Sequence, residues 1–190
     1  AAGKLANMPV IIDFGGGKLP IEDLFFKYLR PGDIYTHVFT ELERRDPIVD
    51  LQTRQLRPFV IPAQKRGIIF DVGFGGGSFN FNQAIPAIKA GFLPDLMGTD
   101  LHTGSMNSGM KDMTNLMSKF LSMGLSIQDV ILRTTWNPAK VIHRPELGNL
   151  SVGSVADVAI FSVRKGDFGY LDVRGWKNKG TERLEAEMTI

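Results

Sequence analysis

Four short β-rich runs constrain this chain more than any other feature: Val10–Phe14, Asp33–Phe39, Gly67–Val72 and Leu96–His102. Apolar runs bounded by turn residues fit strands buried on both faces, and their alternation with helical stretches is the rhythm of βα units in a parallel sheet. The intervening helices are expected at Ile21–Leu29, opened by Pro20 and ended by Pro31-Gly32, then near Ile61–Arg66, and at Phe81–Ala90. Four strand–loop–helix units result. The whole chain is 190 residues, short of the roughly 200–250 that a closed eight-stranded α/β barrel usually needs.

From Met106 the texture changes. Met110, Met113, Leu116, Met117, Phe120 and Leu121 recur at helical spacing, Ser126 caps a helix from Ile127 toward Thr134, and Asn137-Pro138 starts another. The methionines read as helix packing, because flexible thioethers fill core gaps. After Gly148 the pattern is β to the end, with strands expected at Ala156–Val163, Tyr170–Trp176 and Arg183–Thr189 and turns at Gly153, Gly166, Gly175 and Gly180. The expected division is therefore an α/β part over residues 1–147 and a small β part over residues 148–190.

Composition excludes several classes of function. Twenty-two basic against 20 acidic residues leave a charge of +2 with no clustered basic face, so neither nucleic acid nor a membrane surface is an expected partner. The pairs Arg44-Arg45 and Lys177–Lys179 read as solvated surface. Without cysteine there is no disulfide, thiolate metal site or thiol nucleophile. No run has the length and apolarity of a membrane span, and residues 1–10 lack a signal-peptide pattern, so a cytoplasmic location is expected. The start at Ala rather than Met suggests processing or a fragment. Two glycine clusters resemble phosphate loops only superficially: Gly15-Gly16-Gly17-Lys18 lacks P-loop spacing, and Gly73-Phe74-Gly75 lacks the third dinucleotide glycine because position 78 is Ser. Tight turns that let a loop pass over a site are the better reading.

In parallel α/β sheets, polar residues at the C-terminal ends of strands face the site. Asp13, His37, Asp71 or Phe74, and Asp100 with His102 occupy such ends in four successive runs. Their nitrogen and oxygen donors suit Zn²⁺ or a similar divalent ion.

The segment Thr134-Thr135-Trp136-Asn137-Pro138-Ala139-Lys140, followed by Glu146-Leu147-Gly148-Asn149-Leu150-Ser151-Val152-Gly153-Ser154-Val155-Ala156-Asp157-Val158-Ala159-Ile160-Phe161, closely resembles the C-terminal signature of the amidohydrolase superfamily. Upstream, Arg30-Pro31-Gly32-Asp33-Ile34-Tyr35-Thr36-His37, Phe70-Asp71-Val72-Gly73, Thr99-Asp100-Leu101-His102 and Met117-Ser118-Lys119-Phe120-Leu121 resemble its deacetylase and dihydroorotase-like branch. The resemblance covers nearly the whole chain. It implies the C-terminal half of a TIM-like (β/α)8 barrel, strands five to eight, followed by part of a small β-sandwich.

In that family one or two metal ions are held by an H-x-H pair on the first strand, often a carboxylated Lys on the fourth, His on the fifth and sixth, and Asp on the eighth. The resemblance makes His37 the sixth-strand ligand, Asp100 the eighth-strand ligand and catalytic base, and Asp13 a ligand or the residue that orients one. Zinc is the implied metal, with the remaining ligands expected outside this sequence, because no H-x-H occurs in it. Two positions depart from the pattern: Asp13 stands where many relatives carry His, and Phe74 stands inside what is typically G-H-G. His102, Ser105, Asn107 and Phe74 are the candidate substrate contacts, with His102 alternatively a partner to a ligand or a cap on the strand end. The implied activity is hydrolysis of a C–N bond in a small amide, N-acyl or cyclic, by a metal-activated water. The competing expectation is a catalytically silent, amidohydrolase-like binding protein with a degraded site. These residues alone are not expected to turn over substrate. The expected partner is the N-terminal half of the barrel, from the same longer chain or another segment, and homo-oligomerisation is a further way to cover open sheet edges.

Overall fold

A computed structural model describes residues 2–13, 19–43 and 45–190. The first glycine cluster, the end of the first run at Phe14, and Arg44 lie outside the described residues. After a short helix, α1 (Ala2–Leu5), three strands form a parallel sheet in the order β1 (Ile11–Ile12), β2 (Ile34–Tyr35), β3 (Ile69–Phe70). Their register aligns Ile12 with Tyr35 and Tyr35 with Phe70. Residues 13, 36 and 71 therefore leave the sheet side by side, and this alignment is what gathers the site.

The fourth run is not a regular strand over 96–102. Its pairing is a single parallel bridge, Asp71 with Leu96, prolonged by N–H bonds from Val72, Phe74 and Gly75 to the carbonyls of Leu96, Gly98 and Thr99. The run then turns away at Asp100, whose φ of 48° lies in the left-handed region. Helix formation follows the expected pattern more closely. The first helix begins at Ile21 as expected, but α2 (Ile21–Asp23) widens into a π-helical turn, Leu24–Tyr28, closed by the Leu29 N–H on the Leu24 carbonyl at 2.9 Å. Helix α3 (Val60–Arg66) ends at Gly67, whose φ of 104° only glycine adopts without strain. Helix α4 (Phe81–Lys89) is followed by α5 (Met113–Ser122), α6 (Ile127–Thr134) and α7 (Trp136–Val141). Asp112 caps α5 through the Asn115 N–H, and Ser126 caps α6 through the Asp129 N–H, as its position predicted.

The C-terminal part contains two long strands, not three short ones. β4 (Ala159–Leu171) and β5 (Lys177–Thr189) form an antiparallel hairpin around a turn at Asp172–Trp176. Gly166 and Gly180, expected as turns, lie inside the strands. A register shift between Lys165 and Phe168 breaks the alternation there, which is why the pattern reads as a strand end. Gly180 serves close packing: a Cβ would stand 2.8 Å from both Ser122 of α5 and the Tyr170 ring.

One aromatic core lies beneath the strand ends. Phe25, Tyr35, Phe70 and Phe92 meet edge to face, with centroids 5.0 to 5.2 Å apart for Phe25–Tyr35, Phe25–Phe70 and Phe70–Phe92. Phe39 continues the chain to Phe79, Phe92 and Phe120. Met110, Met117 and Leu116 are buried with them, consistent with their reading as packing residues. Because Phe70 is fully buried at the centre of this cluster, Phe70→Ala is expected to cost about 3–5 kcal/mol. Denaturant unfolding checks this, as a lower midpoint at unchanged slope; a loss under about 1 kcal/mol would show that the cluster is not the core.

Candidate functional site

The aligned register delivers Asp13 from β1, Thr36 and His37 from β2, and Asp71 from β3 to one end of the sheet. Asp71 ties these ends together. Its carboxylate accepts the Thr36 hydroxyl at 2.6 Å and the Gly98 N–H at 3.2 Å. Burial drives its pKa above the ordinary carboxylate value, against the hydrogen bonds from Thr36, Gly98 and Gly73 and the nearby His37.

His37 adopts a left-handed φ of 59° and is nearly buried, which turns its ring back over the strand ends. Nδ1 lies 2.5 Å from the Gly73 carbonyl oxygen. A carbonyl only accepts, so Nδ1 carries a proton, and in the neutral ring Nε2 is left with its lone pair. Nε2 then faces Asp13 Oδ1 at 3.2 Å. Two acceptors at that distance need a positive centre between them, either a proton or a metal ion. Two ligands bonded to one tetrahedral zinc at about 2.0–2.1 Å stand about 3.3 Å apart, so this pair fits one edge of such a site. The carbonyl on Nδ1 is the kind of outer partner that metal-bound histidines use. Asp13 Oδ1 also accepts from Arg45 Nη2 at 3.1 Å, and Arg45 Nη1 donates to the Thr36 carbonyl.

Asp100 stands one loop away. A Cβ on Gly75, where φ is 53°, would lie 2.5 Å from Asp100 Oδ2, and one on Gly73 would lie 2.9 Å from His37 Nδ1 and closer still to Thr36 Oγ1. The glycine loop therefore passes directly beneath both side chains, which only glycine permits. Among the described residues, no three His, Asp or Glu side chains converge as a metal set. Of the expected ligands, His37 and Asp13 are brought together, while Asp100 lies against the same glycine loop two residues on, at Gly75.

The expected substrate contacts divide by exposure. His102 is exposed, and its Nδ1 accepts the Gly104 N–H at 3.1 Å, leaving Nε2 as the donor in the neutral ring. Asn107 is exposed and borders a cavity of about 240 Å³ lined also by Ser108, Gly109 and Lys111 of the same loop, Asn115 of α5, and Gly169 and Leu171 of β4. Ser105 is fully buried, accepting the His102 N–H at 3.0 Å and bonded to the His102 carbonyl, so it shapes the loop. The Phe74 ring is fully buried and stacked on Phe79 at 4.6 Å, with the Lys119 ammonium over it.

The sequence profile of the amidohydrolase family matches residues 77–183. The chain belongs to the amidohydrolase family. It is 35% identical over 172 residues to a deacetylase of Brucella anthropi, an alignment that covers 90% of this chain and 42% of that protein. Among solved structures, an adenine deaminase superposes with a TM-score of 0.88 at 27% identity, covering 96% of this chain and 49% of that one. A dihydroorotase superposes at 0.84 and 30% identity, covering 98% and 48%. The chain thus spans about half the length of the relatives it matches.

Three residues that shape these strand ends and loops were missed or misread in the sequence. Arg45, expected on a solvated surface, is buried against Asp13 and Thr36; its neighbour Arg44 lies outside the described residues. Thr36 and Lys119 carried no signal beyond their place in motifs. The raised pKa of Asp71 yields a prediction. The folded chain binds this proton more tightly than the unfolded chain, so the contribution of Asp71 to stability falls as pH rises above its ordinary 3.8. The stability difference between Asp71→Asn, which does not ionise, and wild type is expected to shift in favour of the variant as pH rises above the ordinary carboxylate value, read by thermal or urea unfolding. A difference that stays flat with pH would reject a carboxyl whose proton is held more tightly in the folded chain.

Proposed function

We propose that this chain is the C-terminal half of a metal-dependent amidohydrolase that cleaves a C–N bond of an N-acyl or cyclic amide. The observation that carries the reading is the His37 Nε2 and Asp13 Oδ1 pair, two facing acceptors at the aligned strand ends. In this reading β1, β2, β3 and the run through Asp100 are strands five to eight of a (β/α)8 barrel, within a domain over 1–147. The hairpin is part of a small sandwich over 148–190. The half-length matches to full relatives support a missing first half. So does the exposure of Ile11, 62% on β1, the sheet's outer strand, whose other side a further strand would cover.

Zinc or a similar divalent ion is the cofactor that suits these donors, with further ligands from the other half of the barrel. Such an ion, when bound, polarises the amide carbonyl and acidifies the attacking water. His37, locked by the Gly73 carbonyl, presents Nε2 in the ligating tautomer. Asp13 completes the pair while Arg45 offsets its charge. Asp100, exposed above Gly75, accepts the proton of the attacking water at its carboxylate and returns it to the leaving nitrogen. His102, exposed on the Asp100 loop with Nε2 as its donor, meets a polar group of the substrate.

Asp100→Asn is expected to lower kcat by at least about a hundredfold, the lower range for losing a general base, with circular dichroism and melting unchanged. Wild-type turnover in that variant would remove Asp100 from the mechanism. His37→Ala is expected to lose bound zinc as read by elemental analysis of the native-length protein. Absence of both zinc and hydrolysis in the wild type, across N-acyl amino acids and cyclic amides, would favour the silent binding protein instead.

A further inference from the structure

Lys119 lies on α5 with none of its surface exposed. Its ammonium sits 4.1 Å from the centre of the Phe74 ring and donates to the Gly109 carbonyl. Phe74 belongs to the glycine loop, whose Gly73 carbonyl receives His37 Nδ1 and whose Gly75 lies beneath Asp100. Gly109 ends the loop that starts at Asp100 and carries His102. One side chain thus touches, from the buried side, both loops that bound the site. Its own helix is anchored independently: the neighbouring Ser118 hydroxyl accepts the Leu184 N–H at 2.9 Å, and Asn178 of β5 bonds Ser122.

A buried ammonium is an unfavourable way to stabilise a fold. Burial draws the Lys119 pKa from 10.5 to about 7, with Asp172 and Asp112 acting upward and Lys111 downward. The folded chain therefore holds this proton less tightly than the unfolded chain. The contribution of Lys119 to global stability is fully present only above its ordinary pKa and is lost as pH falls through about 7. What the charged form adds is local: the attraction to the Phe74 face and a charge-assisted bond to Gly109.

We propose that Lys119 is a positioning residue for the hydrolytic site, its ammonium clamping the glycine loop through Phe74 and the Asp100 loop through Gly109. Deprotonation releases the Phe74 contact and weakens the Gly109 bond. The two loops then loosen while the global fold does not. The inference rests on the reading of these loops as the hydrolytic site, but its structural half is measurable without activity.

The test is hydrogen–deuterium exchange, corrected for intrinsic rates, on the protein at its native length. Reporter amides are Phe74 and Gly75, bonded to Gly98 and Thr99, and Ser105 and Ser108 in the second loop. Between pH 6 and pH 9 their protection in the wild type is expected to fall several-fold, while the amides of α6 keep theirs. In Lys119→Met, the same loops are expected to exchange at the faster rate at both pH values, with no loss of unfolding midpoint at pH 8. Turnover in that variant is expected to fall about tenfold or more, with kcat moving further than KM, as misplacement of reacting groups does. Loops that stay protected in Lys119→Met would overturn the proposal. If that variant does not fold, wild-type loop protection that is unchanged with pH overturns it instead. Exchange that responds as expected in a protein without amidase activity would uphold the clamp and reject the hydrolytic reading, so the two fail separately.

Discussion

The partly buried carboxylate of Asp71 is the fastening on which the strand ends depend. It takes one hydrogen bond from β2 through Thr36 and one from the fourth run through Gly98, while its own backbone belongs to the end of β3. Three polypeptide segments are thereby fixed within hydrogen-bond distance of each other where the ladder itself has stopped. Sheet pairing alone holds only two residues of each strand, too little to define where the following side chains point. A second buried carboxylate works at the opposite end. Asp33 accepts from the Val10 N–H and from the Arg30 backbone and guanidinium, and although burial opposes its ionisation, these donors hold its pKa below the ordinary value. The sheet is thus pinned at both ends by carboxylates whose donors come from neighbouring segments.

The C-terminal hairpin is part of the same mechanical unit. Asp172, in the hairpin turn, accepts the Phe81 N–H at 3.0 Å and so caps α4, while its other oxygen accepts from Arg174 and Trp176. Gly180 lets β5 approach α5 at Ser122. Helix α5 in turn carries Lys119 beneath both loops of the site. Through these contacts the β part braces the loops from behind, although it contributes none of the polar groups at the strand ends.

The order of elements was legible because periodicity and caps are local. Ser126 before α6, the helical spacing from Met110 to Leu121, and the βα rhythm each depend on residues within one or two turns. Misreadings arose where a local signal had a distant cause. Gly166 and Gly180 look like turns, but one lies beside a bulge and the other makes room for a helix. Arg44-Arg45 looks like surface charge, but Arg45 is drawn inside by Asp13, 32 positions earlier. The proposed site was legible only as a set of candidates: His37, Asp13 and Asp100 are polar residues at strand ends, and motif resemblance singled them out.

By itself, the sequence determined the family, the α/β pattern and the residue types available for chemistry, since these follow from composition, spacing and motif. Only the tertiary structure decided which of those residues meet. His37 faces Asp13 because parallel register aligns their strands and a left-handed turn swings the imidazole back. Phe74 and Ser105 are buried because the glycine loop and the Asp100 loop both close onto α5. Register, handedness at single residues and burial are properties of packed segments, and a linear pattern does not carry them.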